Sequence, residues 1–67
     1  MPFTIEYVWR GSPVERMTSF ASQVTDAERS ARADMARVRS MRRDTPPDGY
    51  RILDNDGNVV LLRSCVG

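Results

Sequence analysis

The chain has 67 residues and a net charge of +1, which comes from ten arginines and nine carboxylates, with no lysine and no histidine. This charge is too small to predict a polyanionic partner by itself, and a single cysteine excludes a disulfide within the chain. A chain of this size buries only about 60% of its unfolded surface, so self-association is an expected source of added stability.

The N-terminus has neither a basic segment nor a long apolar segment, and the longest apolar run has four residues. A signal peptide and a membrane span are therefore not expected. These features favour a cytoplasmic protein with one α+β domain over residues 1–67.

Residues 3–10 alternate between apolar and polar side chains, which predicts a half-buried strand. Glycine, serine and proline follow at positions 11–13 and predict a turn. One face of this strand carries Phe3, Ile5, Tyr7 and Trp9, and the other carries Thr4, Glu6, Val8 and Arg10.

The next segment, residues 14–24, fits either a strand or the start of a helix. The sequence that follows it matches a capping box, with Thr25 as the N-cap and Glu28 at the third helical position. A helix that begins there leaves residues 14–24 free to form a second strand, paired with the first as a hairpin. We prefer this interpretation to one long helical segment from about Pro13 to Arg43.

The segment from Asp26 to about Arg43 has the periodicity of an amphipathic helix. Acidic residues occupy its first turn and arginines its last, as the helix dipole favours. The two prolines at positions 46 and 47 prevent the helix from continuing. The predicted core stripe consists of Ala27, Ala31, Met35 and Val38.

Two further strands are predicted, Tyr50–Leu53 and Val59–Arg63, with a turn around residues 54–58 between them. Counted from Asp54, the positions where an EF-hand loop requires glycine and glutamate hold Val59 and Cys65, so no calcium site is expected. The order is β-β-α-β-β, an α+β fold with one helix packed on a mostly antiparallel four-stranded sheet. The alternative is β-α-β-β with the longer helical segment.

One helix covers only one face of such a sheet, and side chains alternate along the last strand. Either Val59 and Leu61 or Val60 and Leu62 therefore lie on the uncovered face, unless the C-terminal tail or the Pro46–Pro47 loop shields them. With the outward-facing residue of the first strand, the candidate interaction surface consists of Val8, Val60 and Leu62. Pairing of an edge strand between two protomers is a second route to a dimer.

The arginines of the helix suggest nucleic-acid binding as an alternative. Acidic residues interrupt this positive charge, and a surface helix needs a polar outer face in any case. The candidate nucleic-acid contacts are Arg29, Arg32, Arg37 and Arg43.

Residue types give little support for catalysis. No histidine is present to activate Cys65, and no glycine-rich phosphate loop or metal-ligand spacing occurs. An enzyme or ligand carrier would need a pocket lined by Trp9, Tyr7 or Tyr50. We expect instead a non-enzymatic protein-interaction module without cofactor or metal, which homodimerises through its open sheet face or an edge strand.

Overall fold

Four strands and one helix follow one another in the order β-β-α-β-β in the computed structural model, which describes residues 2–64. The predicted order is confirmed, and the alternative with a longer helical segment is wrong. Cys65 lies outside the described residues. The elements are β1 (Phe3–Trp9), β2 (Ser12–Ser19), α1 (Val24–Met41), β3 (Gly49–Leu53) and β4 (Val59–Ser64).

The strands form one sheet in the order β2-β1-β3-β4, with every neighbouring pair antiparallel. Two local hairpins, β1–β2 and β3–β4, are thus joined along β1 and β3. Ile5 lies opposite Met17 on one side and Ile52 on the other, which fixes the face that these residues share. The edges of the sheet are β2 and β4.

The helix packs against the two central strands. Its predicted stripe is the buried one, and Ala27 and Ala31 are both fully buried. The Tyr7 hydroxyl donates a hydrogen bond of 2.6 Å to the Ala31 carbonyl oxygen. The rings of Tyr7 and Tyr50 meet edge to face with centroids 6.3 Å apart. The short alanine side chains allow the close approach that this buried hydrogen bond requires.

The helix begins earlier than the capping box predicts. The N-cap is Gln23, whose carbonyl oxygen accepts from the amides of Asp26 and Ala27 at 3.2 Å each, and no side chain caps the helix. The prediction of Thr25 as N-cap is therefore wrong. The physical reason is that Val24 packs against the core and starts the helix ahead of the polar residues.

Replacing Thr25 by alanine is expected to change the free energy of unfolding by no more than about 0.7 kcal/mol, in the stabilising direction, because alanine has the higher helix propensity. Loss of a working N-cap would instead cost about 1 kcal/mol. Urea denaturation of the two proteins separates these results. Destabilisation by about 1 kcal/mol would contradict the observed helix start.

Candidate functional site

The sheet has one face beneath α1 and an opposite face, here called the open face, which no described element covers as a second layer. The register places the side chains of alternate residues of all four strands on the open face. Its central residues are Thr4, Glu6 and Val8 of β1, Arg16 and Thr18 of β2, Arg51 and Leu53 of β3, and Leu62 of β4.

A carboxylate lies at the centre of the open face. Glu6 is on the predicted face of β1, but its side chain is only 2% exposed because neighbouring side chains cover it. Arg16 and Arg51 lie opposite Glu6 on the two neighbouring strands. The Arg16 Nε donates to Oε2 of Glu6 at 2.9 Å, and the Arg51 Nε donates to Oε1. Two guanidinium groups thus shield the carboxylate from water.

The two arginines also set the ionisation of this carboxylate. Burial raises the pKa of Glu6, but the hydrogen bonds from Arg51 and Arg16 outweigh it and hold the pKa below the ordinary value of 4.5. The three side chains keep one net positive charge. The side chain of Arg16 is 68% exposed and remains available to solvent.

Beside this charged centre, β4 presents an apolar strip to solvent. Val59, Val60 and Leu62 are 52%, 46% and 66% exposed, whereas Leu61 packs against the core. Val60 and Leu62 are therefore the exposed pair. Val59 does not join Leu61 beneath the helix, because an irregularity at the start of β4 pairs it with Leu53 of the open face.

Among residues 2–64, no loop shields the Val60 and Leu62 side chains from solvent. The Pro46–Pro47 loop leaves Val60 and Leu62 exposed, and the C-terminal tail lies outside the described residues. Val8, the third residue of the candidate surface, is half-buried on β1 and separated from β4 by β3. The structure thus brings Val60 and Leu62 together on one edge strand, with Val8 apart from them.

The two edges of the sheet differ in how they are protected against pairing. Both edge strands have a bulge near their start, but only β2 also carries a proline there, Pro13, which has no amide to donate. In β4 the pairing with β3 is regular from Leu61 to Ser64, and the strand contains no proline. Its one charged side chain, Arg63, turns to the helix side and contacts Glu28. From Leu61 to Ser64, the β4 edge is therefore the less protected of the two.

Most of the candidate nucleic-acid contacts have acidic partners on the same helix. Arg29 pairs with Asp26 at 3.7 Å, Arg32 with Glu28 at 3.8 Å, and Arg37 with Asp34 at 3.6 Å. Arg43 lies beyond the end of α1, is exposed, and has no ion pair within residues 2–64. These pairs reduce the positive field available for phosphates, which argues against this hypothesis without testing it.

Sequence reasoning missed a second polar cluster, which joins α1 to the β3–β4 hairpin. Glu28 accepts a hydrogen bond from the Tyr50 hydroxyl at 2.9 Å and one from Arg63 Nε at 3.0 Å. The hydrogen bonds from Arg63 and Tyr50 hold the pKa of Glu28 below its usual value. In the sequence, only the acidic residue Glu28 could have indicated this cluster, and the capping box explained Glu28 instead as a partner of the helix N-terminus.

The aromatic residues proposed to line a pocket have other positions. Tyr7 and Tyr50 are buried in the core, and the Arg10 guanidinium lies 4.7 Å from the centre of the Trp9 ring. Within the described part of the chain, no three histidine, cysteine or acidic side chains are grouped as metal ligands would be. Over the same residues, no helix has both the length and the apolar character needed to cross a membrane.

Neither a family model, nor a curated protein, nor a solved structure matches this chain. The fold class therefore rests on the structure itself: a small α+β domain with one helix on a four-stranded antiparallel sheet.

Proposed function

We propose that the protein is a non-enzymatic interaction module that forms a homodimer by antiparallel pairing of its β4 edge strand with β4 of a second copy. The observation that carries this proposal is the exposure of Val60 and Leu62 on an edge strand that contains no proline and whose one charged side chain, Arg63, is turned to the helix side. Natural sheets normally block such edges with proline, charge or strong bulges.

A second copy fits this edge because the edge is complementary to itself. Residues directly opposite one another in an antiparallel pair share a face of the sheet. A two-fold axis through Leu62 places the two Leu62 side chains opposite each other on a continuous open face. The same axis places Val60 of each copy opposite Ser64 of the other, and the isologous contact closes without further copies.

The free energy for pairing comes from two sources in this arrangement. Burial of a valine or leucine side chain is worth about 1.5–3 kcal/mol when complete, and Val60 and Leu62 are each about half exposed or more in the single chain. The backbone groups on the outer side of β4 also gain strand partners. A domain with a small core benefits most from this added burial.

Replacing Leu62 by aspartate is expected to weaken dimerisation by at least about a hundredfold, because it places two carboxylates opposite each other at the two-fold axis. Sedimentation equilibrium over a range of micromolar concentrations measures this. The wild type should approach twice the 7.6 kDa mass of the chain, and the variant should remain at the single-chain mass with an unchanged circular dichroism spectrum.

The matched control is Phe20→Asp, since Phe20 is also an exposed large apolar residue, at 84%, but lies beyond the end of β2. This variant should dimerise like the wild type. The proposal is contradicted if the wild type remains a monomer at about 100 µM or above, a concentration on the order of the dissociation constants of weak natural complexes. Equal weakening by both substitutions would also contradict the assignment to β4.

A further inference from the structure

A groove of about 460 Å³ runs between the C-terminal end of β2 and the part of α1 from Asp26 to Asp34. The helix packs on the two central strands, so the edge strand β2 extends sideways beyond the helix and leaves this groove open. Glu15 of β2 and Arg42 at the end of α1 approach to 3.6 Å and bridge the gap at the opposite end of the helix. The groove lies where no such bridge is present.

The lining of the groove combines apolar residues with short hydroxyl side chains from β2 and α1. Ile5 and Met17 contribute from the sheet and Ala21 from the connection to α1. Phe20 stands at the rim with 84% of its surface exposed, more than any other large apolar residue of the described chain. An aromatic side chain at the rim of a partly apolar groove is typical of a surface that covers a partner side chain.

The helix wall of the groove is acidic. Asp26 and Asp34 line it, with side chains 48% and 40% exposed, and no arginine contributes to the lining. Eight residues separate the two carboxylates, which places them about 12 Å apart along the helix axis. Arginines of the same helix already pair with both carboxylates in exposed i,i+3 contacts, so a cation from a partner has to exchange with these arginines. Exposed contacts of this kind contribute little, which makes the exchange inexpensive.

On the opposite side of α1, a carboxylate of the helix is paired with an arginine from an edge strand. There the carboxylate of Glu28 receives Arg63 from β4, the other edge strand, at 3.0 Å. On the groove side, β2 provides no basic residue to Asp26 or Asp34. A cation from another molecule would fill the equivalent place.

From these features we propose that the groove binds an extended peptide segment with arginine or lysine at positions i and i+4 and a large apolar residue at i+2. An extended chain advances about 3.3 Å per residue, so the two basic side chains span about 13 Å and match the two aspartates. The intervening apolar side chain points to the same face and enters the groove beside Phe20. This surface is separate from β4, and the proposal does not depend on dimerisation.

The probe is the synthetic peptide acetyl-Arg-Thr-Leu-Thr-Arg-amide, titrated into ¹⁵N-labelled full-length protein and followed by NMR. Amide shifts are expected to be confined to the end of β2, the segment around Ala21 and the part of α1 up to Asp34. The double variant Asp26→Asn with Asp34→Asn should bind about tenfold more weakly, since two exposed ion pairs are lost. Phe20→Ala should weaken binding as well.

Three controls separate this site from general attraction of charges. Asp44→Asn, which removes an exposed carboxylate outside the groove, should bind the peptide like the wild type. Peptides with glutamate in place of both arginines, or with serine in place of leucine, should bind at least tenfold more weakly. Equal binding of either peptide, unchanged affinity of the double variant, or no shifts at millimolar peptide would overturn the proposal, whatever the oligomeric state.

Discussion

Replacing Gly49 by alanine is expected to lower the free energy of unfolding by about 2–3 kcal/mol, the upper range for forcing extra volume into a packed site. A Cβ atom at this position would lie 2.5 Å from the Arg63 carbonyl oxygen and 3.4 Å from the Ser64 Cα atom. Both atoms belong to the backbone of β4, so no side chain can move aside to relieve the contact. The strand itself must shift away from β3, which also disturbs the proposed dimer edge.

Urea denaturation monitored by circular dichroism measures this effect, and Gly57→Asn is the matched control. Gly57 has a φ of +87° and no atom within 4 Å of an added Cβ. Asparagine tolerates this left-handed conformation better than other side chains, so the control should cost no more than about 1 kcal/mol. A Gly49→Ala variant as stable as the control would show that β3 and β4 are less closely packed than the structure describes.

Replacing Glu6 by alanine is expected to cost about 3 kcal/mol, near the lower end of the range for removing one member of a buried ion pair. The lower end applies because Arg16 and Arg51 retain side-chain exposures of 68% and 32% and can regain water when the carboxylate is lost. Glu15→Ala is the control, because Glu15 forms a single, more exposed pair with Arg42 at 3.6 Å. Its loss should cost less than about 1 kcal/mol.

The difference in unfolding free energy between the wild type and Glu6→Ala depends on pH, because folding lowers the pKa of the Glu6 carboxylate. Because the pKa of Glu6 in the folded protein lies below 4.5, the unfolded chain takes up its proton first as the pH falls. The contribution of Glu6 to stability is therefore complete above about pH 5 and is lost as the pH falls through its folded pKa. The gap in unfolding free energy between wild type and Glu6→Ala should be larger at pH 7 than at pH 3. A gap independent of pH would contradict the paired state of Glu6.

Periodicity in the sequence was sufficient for the first strand and for the buried stripe of the helix, whereas the assignment of residues 14–24 to a strand depended on the capping box. The alternation in residues 3–10 separates the core face of β1 from its open face, although Glu6 on the open face is buried too. The spacing of Ala27, Ala31, Met35 and Val38 reflects burial of α1 against the core face. Both signals are local, so neither needs knowledge of the strand order. The ambiguity over residues 14–24 arose because β2 is an edge strand in which no residue is fully buried.

The details of the site depend on register, which the sequence alone could not supply. Glu6 meets partners 10 and 45 residues away, and no local pattern marks such pairs. A single extra residue at the start of β4 moved Val59 away from the face of Leu61. The capping box was wrong for a related reason. Glu28 accepts hydrogen bonds from Tyr50 and Arg63, which are distant in sequence, and not from the N-terminus of its own helix.

The line of pairing between β1 and β3, here called the seam, has a consequence for how the chain folds. Each hairpin forms from residues close in sequence, whereas Ile5 and Ile52 of the seam must meet across most of the chain. Contacts across such a long loop carry the larger entropic cost and are slow to form. We therefore expect the two hairpins to form early and their docking to be the late step. Arg16 reaches Glu6 within the first hairpin, and Arg51 completes the cluster only when the halves have joined.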